Sequence, residues 1–310
     1  MLEDLFSATV LIGILASGIR LATPYLYASI GETLGQRSGV LNLGVEGIML
    51  MGAFSGFYAV FRTGNVWLGL LSAIIVGGLM GLATAFINVT LQAEQGISGI
   101  GIFLFGLGMS DLLFQKLISN VATVSGFPAV PIPVLSDIPV IGEIFFDHNI
   151  LVYGAYLLAL VAWFILNKTT LGLSIQAVGE NPEAADTLGV SITVVRYFTV
   201  TLGGVLSGIA GASLSIALLN VFQQNLTNGI GFIAVALVYF GGWRPLWVLA
   251  GSLLFSMINS LQIWVQVIGI PIPSDIAVML PYILTIVVLV LSAGRVRAPS
   301  ALTKPYERAG

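Results

Sequence analysis

The sequence contains no cysteine and one histidine, and only 8% of its 310 residues are charged, against about 25% in an average soluble domain. Without cysteine there is no disulfide framework, thiolate metal site or thiol nucleophile. A lone histidine excludes most imidazole-rich metal sites and any two-histidine relay. No Gly-Lys pair occurs, so the GxxxxGK[ST] phosphate loop is absent, and HExxH is absent as well. The net charge of −3 and pI near 5.1 offer no basic footprint for nucleic acid. What remains is apolar: AVILMFWYC make up 57% of the chain, beside 37 glycines, and the mean hydropathy is +1.02. This is the composition of an integral membrane protein. The start, Met1-Leu-Glu-Asp-Leu, lacks the basic stretch and cleavage site of a signal peptide, so the first apolar run is expected to be retained.

Crossing the hydrocarbon core takes about 20 apolar residues. On that rule the fold class is all-α, a polytopic transmembrane bundle of about nine spans (8–10) in a single domain, 1–310. The spans run near 5–30, 40–61, 66–91, 96–117, 149–167, 195–220, 228–241, 245–267 and 275–293, the seventh being short. Arg37, Lys168, Arg196, Arg244, Arg295, Arg297, Lys304 and Arg308 fall on one side and only Arg62 and Lys116 on the other. Positive residues are retained in the cytoplasm, which places the N-terminus outside and the C-terminus inside. The outer loop 119–148 carries Pro128, Pro131, Pro133 and Pro139, which suit an extended chain better than a helix, and it reads as a structured cap or an interfacial hairpin. Its His148 reads as a solvated side chain.

Gly52 and Gly56, Gly77 and Gly81, and Gly204, Gly208 and Gly211 recur at three- or four-residue spacing, which suits close helix packing. Asn42 and Glu46, four apart, are expected on one face of span two, either facing a polar path or satisfying backbone groups and Arg37 near the cytoplasmic end. Arg20, deep in span one, is a candidate partner for Glu46. Ser252, Ser256, Asn259 and Gln266 form a polar stripe on span eight, facing a cavity or gluing helices together. Asn220, Gln223, Gln224 and Asn225, and Asp111 with Gln115, add neutral or singly charged groups near the outer ends of spans. Such groups suit an uncharged polyhydroxylated or amide-bearing solute.

The segment 169–194 is too regular for a floppy linker. Asn181 is a good N-cap, Pro182 suits the first helical turn, Glu183 and Asp186 favour the positive end of the dipole, and Gly189 is a good stop. The pattern predicts a helix of about two turns, too short to persist unless it docks. Glu183, Ala184 and Ala185 would offer the docking surface.

Two blocks resemble the membrane permeases of ABC importers in the branched-chain amino acid, ribose and nucleoside group. One is Gly31-Glu-Thr-Leu-Gly-Gln-Arg-Ser-Gly-Val-Leu-Asn-Leu-Gly-Val-Glu-Gly-Ile-Met-Leu-Met-Gly-Ala53; the other is Ala177-Val-Gly-Glu-Asn-Pro-Glu-Ala-Ala-Asp-Thr-Leu-Gly-Val190, with Val190 where the family usually has Ile. They look most like the simple sugar and nucleoside branch. The resemblance implies a transport subunit of the bacterial cytoplasmic membrane that is not itself an enzyme and binds no cofactor. It implies a second, larger related permease subunit, an ABC ATPase that hydrolyses Mg-ATP, and an extracytoplasmic solute-binding lipoprotein. Gly179, Glu180, Asn181, Pro182, Glu183, Ala184, Ala185 and Gly189 would couple to the ATPase. Asn42, Glu46, Ser252, Ser256 and Asn259 are the candidates for the translocation path. The alternative is a stand-alone secondary transporter or channel for a small polar solute, which needs an ion-coupling site or filter.

Overall fold

Residues 7–118, 120, 122–269 and 297–306, with isolated positions between 273 and 290, are described by the computed structural model. Helix α1 (Ala8–Arg37) starts on Ser7, whose hydroxyl accepts from the Val10 N–H, and runs unbroken through Pro24. Helix α2 (Val45–Thr63) stops at Gly64, whose φ of +70° suits glycine. Helix α3 (Val66–Ala85), capped by Asn65, ends in a π turn, Phe86–Thr90. Helix α4 (Gln95–Leu117) is capped by Glu94, whose carboxyl is held below its usual range by the N–H groups of Ile97 and Gly96. Strands β1 (Ala129–Pro131) and β2 (Asp147–Asn149) pair antiparallel around the one-turn helix α5 (Ile141–Phe145). Then come α6 (Ile150–Lys168), α7 (Thr170–Glu180), α8 (Pro182–Thr187), and α9 (Ile192–Ser213) with a second π turn, Leu214–Leu218. Helices α10 (Ile230–Phe240) and α11 (Pro245–Val267) follow.

Counting the two π turns, α1, α3, α4, α6, α9 and α11 are each long and apolar enough to cross a bilayer. The chain is therefore an all-α polytopic membrane protein. The second expected span starts later than its apolar pattern suggested, at Val45, because residues 38–44 run as irregular backbone. The seventh is the 11-residue α10; at 1.5 Å per residue it covers about 16 Å, half of a hydrocarbon core of about 30 Å. The ninth, 275–293, lies almost wholly outside the described residues.

At the centre of the bundle stands α9, packed against α1, α2 and α3. Its small residues do what their spacing predicts. A Cβ on Gly204 would lie 2.5 Å from both the Gly77 carbonyl oxygen and the Gly81 Cα, and one on Gly52 would lie 2.5 Å from the Gly208 oxygen. Backbones touch directly here, which is how helices gain van der Waals contact in lipid. At one end of α9 the hairpin segment is pinned down: Phe127 N–H bonds the Ile216 carbonyl at 2.9 Å, and Val124 N–H the Asn220 carbonyl at 3.0 Å. At its other end lie α7, α8 and residues 297–306. Within this loop the described residues pair only at 129–131 with 147–149, closing a short hairpin around one helical turn.

The glycine contacts set a test. Gly204→Val should force α9 off α3, lowering the thermal midpoint of the detergent-purified protein by several degrees, whereas Gly108→Val, on an exposed face with nothing within 4 Å of its Cβ, should leave it unchanged. Equal midpoints for the two variants would remove the packing role assigned to this interface.

Candidate functional site

The short apolar helix α10 starts against α2, and its first N–H groups, which have no partner within the helix, need acceptors from elsewhere in the chain. The partner is Glu46, in the first turn of α2 and 1% exposed. One carboxylate oxygen accepts from the Thr227 hydroxyl and the Gly229 N–H, both at 2.6 Å; the other accepts from the Gly231 N–H at 2.5 Å. Negative charge at a helix N-terminus also complements the helix dipole. The far end of α10 is clasped by α1: Trp243 Nε1–H donates to Gln36 at 2.7 Å, and Arg37 Nε–H donates to the Trp243 carbonyl at 2.8 Å.

The irregular stretch between α1 and α2 is satisfied in the same manner. Asn42 N–H donates to Glu32 Oε1, which also accepts from Gln36, both at 2.9 Å; Leu41 N–H donates to Gln95 at 2.8 Å. The Asn42 side chain accepts from the Gly44 N–H. Asn42 therefore precedes α2 and does not share a helical face with Glu46, because the chain turns at Gly44 before helix geometry begins. Glu32, Gln36, Gln95, Thr227 and Trp243 were not singled out from the sequence. A buried carboxylate with a glutamine four residues on, inside an apolar run, was the available signal.

On α11, Ser252 and Ser256 are buried, and Ser256 bonds its own helix at Leu253. Ser252 Oγ has no partner among the described residues. Asn259 is half-buried and hydrogen-bonds Tyr25 of α1, which lies within electrostatic reach of Glu46 and stacks edge-on against Phe255 at 5.1 Å. Gln266 is exposed. Of the five path candidates only Asn259 combines a polar side chain with partial exposure. Among the described residues no group of three His, Asp or Glu side chains is placed to hold a metal ion.

Arg20 does not reach Glu46. It bonds Ser17 on its own helix and lines a cleft of about 390 Å³ with Asp147, His148 and Asn149. His148 is not solvated: it is 2% exposed, with Nε2 bonded to the Ile144 carbonyl at 2.8 Å. The antiparallel register folds its ring inward, and burial pushes its pKa below the usual histidine value, with the nearby Arg20 charge acting in the same sense.

In the segment 169–194, Asn181 ends α7 and caps α8, its Oδ1 accepting from Ala184 N–H at 3.1 Å, with Pro182 at the first helical position. Gly189 terminates the turn at φ +84°. The helix spans six residues rather than the two turns expected. Its alanines part company. Ala185, 2% exposed, packs inward with Val178 and Ile192, so it offers nothing to another protein. Glu183, Ala184, Thr187 and Leu188 form the exposed rim, Leu188 being 84% exposed. Gly179 is buried against the Arg37 carbonyl, and Glu180 is exposed.

Comparison with known proteins gives a consistent picture. Residues 14–289 match the family model described as branched-chain amino acid transport system / permease component. The chain is 37% identical to a putative glucose ABC transporter permease of Haloferax volcanii, over 96% of this chain and 98% of the relative. It is 38% identical to a nucleoside ABC transporter permease of Lactococcus lactis, over 93% and 94%. It is 37% identical to a guanosine ABC transporter permease of Bacillus subtilis, over 92% and 93%. The last two organisms each hold a second permease of the same description that also matches, at 25% and 26% identity over 76% and 72% of this chain. No solved structure matches the chain.

Glu46 sets a prediction here. Glu46→Ala leaves two buried donors, on Thr227 and Gly231, and the part-buried Gly229 N–H without an acceptor, at about 1–3 kcal/mol for each buried group. Hydrogen exchange at Gly229 and Gly231 should rise by at least tenfold and the thermal midpoint should fall, with Glu46→Gln intermediate. Unchanged exchange in Glu46→Ala would remove the capping role.

Proposed function

The chain belongs to the family of branched-chain amino acid transport system permease components, and from that premise we propose that it is the membrane subunit of an ATP-driven importer for nucleosides or simple sugars. The substrate class rests on the names of the relatives, which describe glucose, nucleoside and guanosine permeases. In this reading residues 1–310 form one transmembrane domain of about nine spans in the cytoplasmic membrane. Segment 169–194 and the C-terminus lie in the cytoplasm, and 119–148 outside. The eight-to-two distribution of Lys and Arg supports that orientation. A second, related permease subunit completes the path; paired permeases in two organisms support this. An ABC ATPase hydrolyses Mg-ATP, an extracytoplasmic lipoprotein delivers the solute, and this chain carries out no chemistry of its own.

The observation that carries the reading is α8. A six-residue helix has no stability by itself, yet this one is capped at Asn181, braced inward through Ala185, and turns a rim of Glu183, Ala184, Thr187 and Leu188 outward. A partner's groove seated on that rim would move α8 when the ATPase closes, and α8 would move the bundle. Asn259, beside Tyr25 and the start of α10, is the side chain assigned to the path. Asn42, Glu46, Ser252 and Ser256 are assigned to holding its walls. The stand-alone alternative needs a buried carboxylate with capacity for an ion, whereas Glu46 and Glu32 already accept from protein donors.

Two measurements test this. The chain has no native cysteine, so an introduced thiol reports alone. Ser136→Cys should react with an impermeant maleimide in spheroplasts and Thr187→Cys should not; the reverse pattern overturns the orientation. Ala184→Arg puts a bulky charge into the docking rim without touching the chain's own core. Co-purification of the ATPase and uptake should both fall by tenfold or more while the chain still inserts; a normal Ala184→Arg complex overturns the coupling role.

A further inference from the structure

Residues 299–306 return to the same end of the bundle as α8 and tie it to three distant joints. Four hydrogen bonds reach the coupling segment. Ser300 donates to Glu180 through its N–H at 3.3 Å and its hydroxyl at 3.0 Å. Ala301 N–H donates to the Gly179 carbonyl at 2.9 Å, and the Tyr306 hydroxyl donates to Asp186 at 3.1 Å. The Tyr306 ring packs with Ala185, Val178 and Ile192, and Ala301 is 4% exposed.

From the same strap, bonds run into the bundle. Thr303 N–H donates to the Gly39 carbonyl at 3.1 Å, Arg196 Nη1 donates to the Lys304 carbonyl at 3.2 Å, and Gln92 donates to the Tyr306 carbonyl at 3.1 Å. Gly39 opens the irregular stretch whose Asn42 is held by Glu32 and whose continuation, Glu46, caps α10. Arg196 begins α9 and also holds the Ser38 carbonyl. Gln92 lies in the joint between α3 and α4.

We infer that residues 299–306 are the strap through which movement of α8 is passed to the α1–α2 joint and from there to the N-terminus of α10. The inference rests on the coupling role of α8 proposed above. Ser300, Ala301, Thr303 and Tyr306 are positioning residues: Ser300 and Ala301 hold the end of α7, Tyr306 holds α8, and Thr303 holds Gly39, so the strap ties the three together. A strap that only stabilised the fold would have no reason to bond both the coupling helix and the joint leading to the half-helix.

The test uses the whole transporter in native membranes. Gln224→Cys, in the exposed stretch leading to α10, serves as reporter, labelled by a maleimide with and without ATP and vanadate. With the strap intact, nucleotide trapping should change the labelling rate. In Ser300→Ala/Tyr306→Phe the change should shrink at least fivefold while the ATPase still co-purifies and hydrolyses ATP. A full-sized change in the double variant, no change with the strap intact, or loss of the ATPase from the double variant would each overturn the strap. Should the double variant fail to fold, a Ser300→Cys/Glu180→Cys pair closed by a short bis-thiol reagent decides instead. Turnover should survive the cross-link, and its loss would mean that the strap must detach. Ala184→Arg separates the two ideas: an ATPase still bound there sinks the coupling reading, whatever the strap variants do.

Discussion

A backbone N–H inside hydrocarbon must be bonded within the protein, and this constraint organises the centre of the molecule. Because α10 starts against α2 with its first donors free of helical partners, those donors need an acceptor, and Glu46 supplies both oxygens. Because the chain turns back at residues 38–44 before α2 begins, Leu41 and Asn42 need acceptors too, and Gln95 and Glu32 supply them. Buried carboxylates in such a protein invite a reading as ion or solute sites. Here their oxygens accept from the protein's own donors, which fixes the start of α10 and the turn between α1 and α2.

How much of this was legible in the sequence depends on the kind of interaction. The glycine spacing of Gly77, Gly81, Gly204 and Gly208 foretold backbone contact, because close approach leaves a direct trace in residue size. The caps at Asn181, Pro182 and Gly189 were legible for a similar reason, since each is a local rule of the backbone. Asn42 was misplaced because a four-residue spacing implies a shared face only if the helix has begun, and Gly44 delays it. Ala185 and His148 were misread because their burial is set by Tyr306 in one case and by strand register in the other. Both contacts join residues far apart in the chain or hang on a pairing that composition does not fix. That Glu46 satisfies backbone groups was one of its two expected roles, but which groups was hidden for the same reason, its donors lying more than 180 residues away.

The packing of α9 limits how the bundle can move. With Gly204 against Gly77 and Gly81, and Gly52 against Gly208, sliding by a single residue would drive side chains into backbone. Such interfaces do not deform gradually; α2, α3 and α9 move together or not at all. The short elements are α8, the strap and α10, the last also packed through Ala234, Val235 and Leu237. Each is too short to carry its own stability, and each is fixed at named points.

That division bears on how work reaches the path. In the proposed coupling role, an ATPase closing on α8 would deliver force at the exposed rim of Ala184 and Leu188, while Ala185 on the opposite side packs into the chain's own core. One short helix thus presents one face to each protein, and its small side chains let both approach closely. A longer, self-sufficient helix would absorb displacement by bending. A six-residue helix capped at Asn181 and tied to the strap at Asp186 has little length over which to bend, so displacement would pass to whatever holds it.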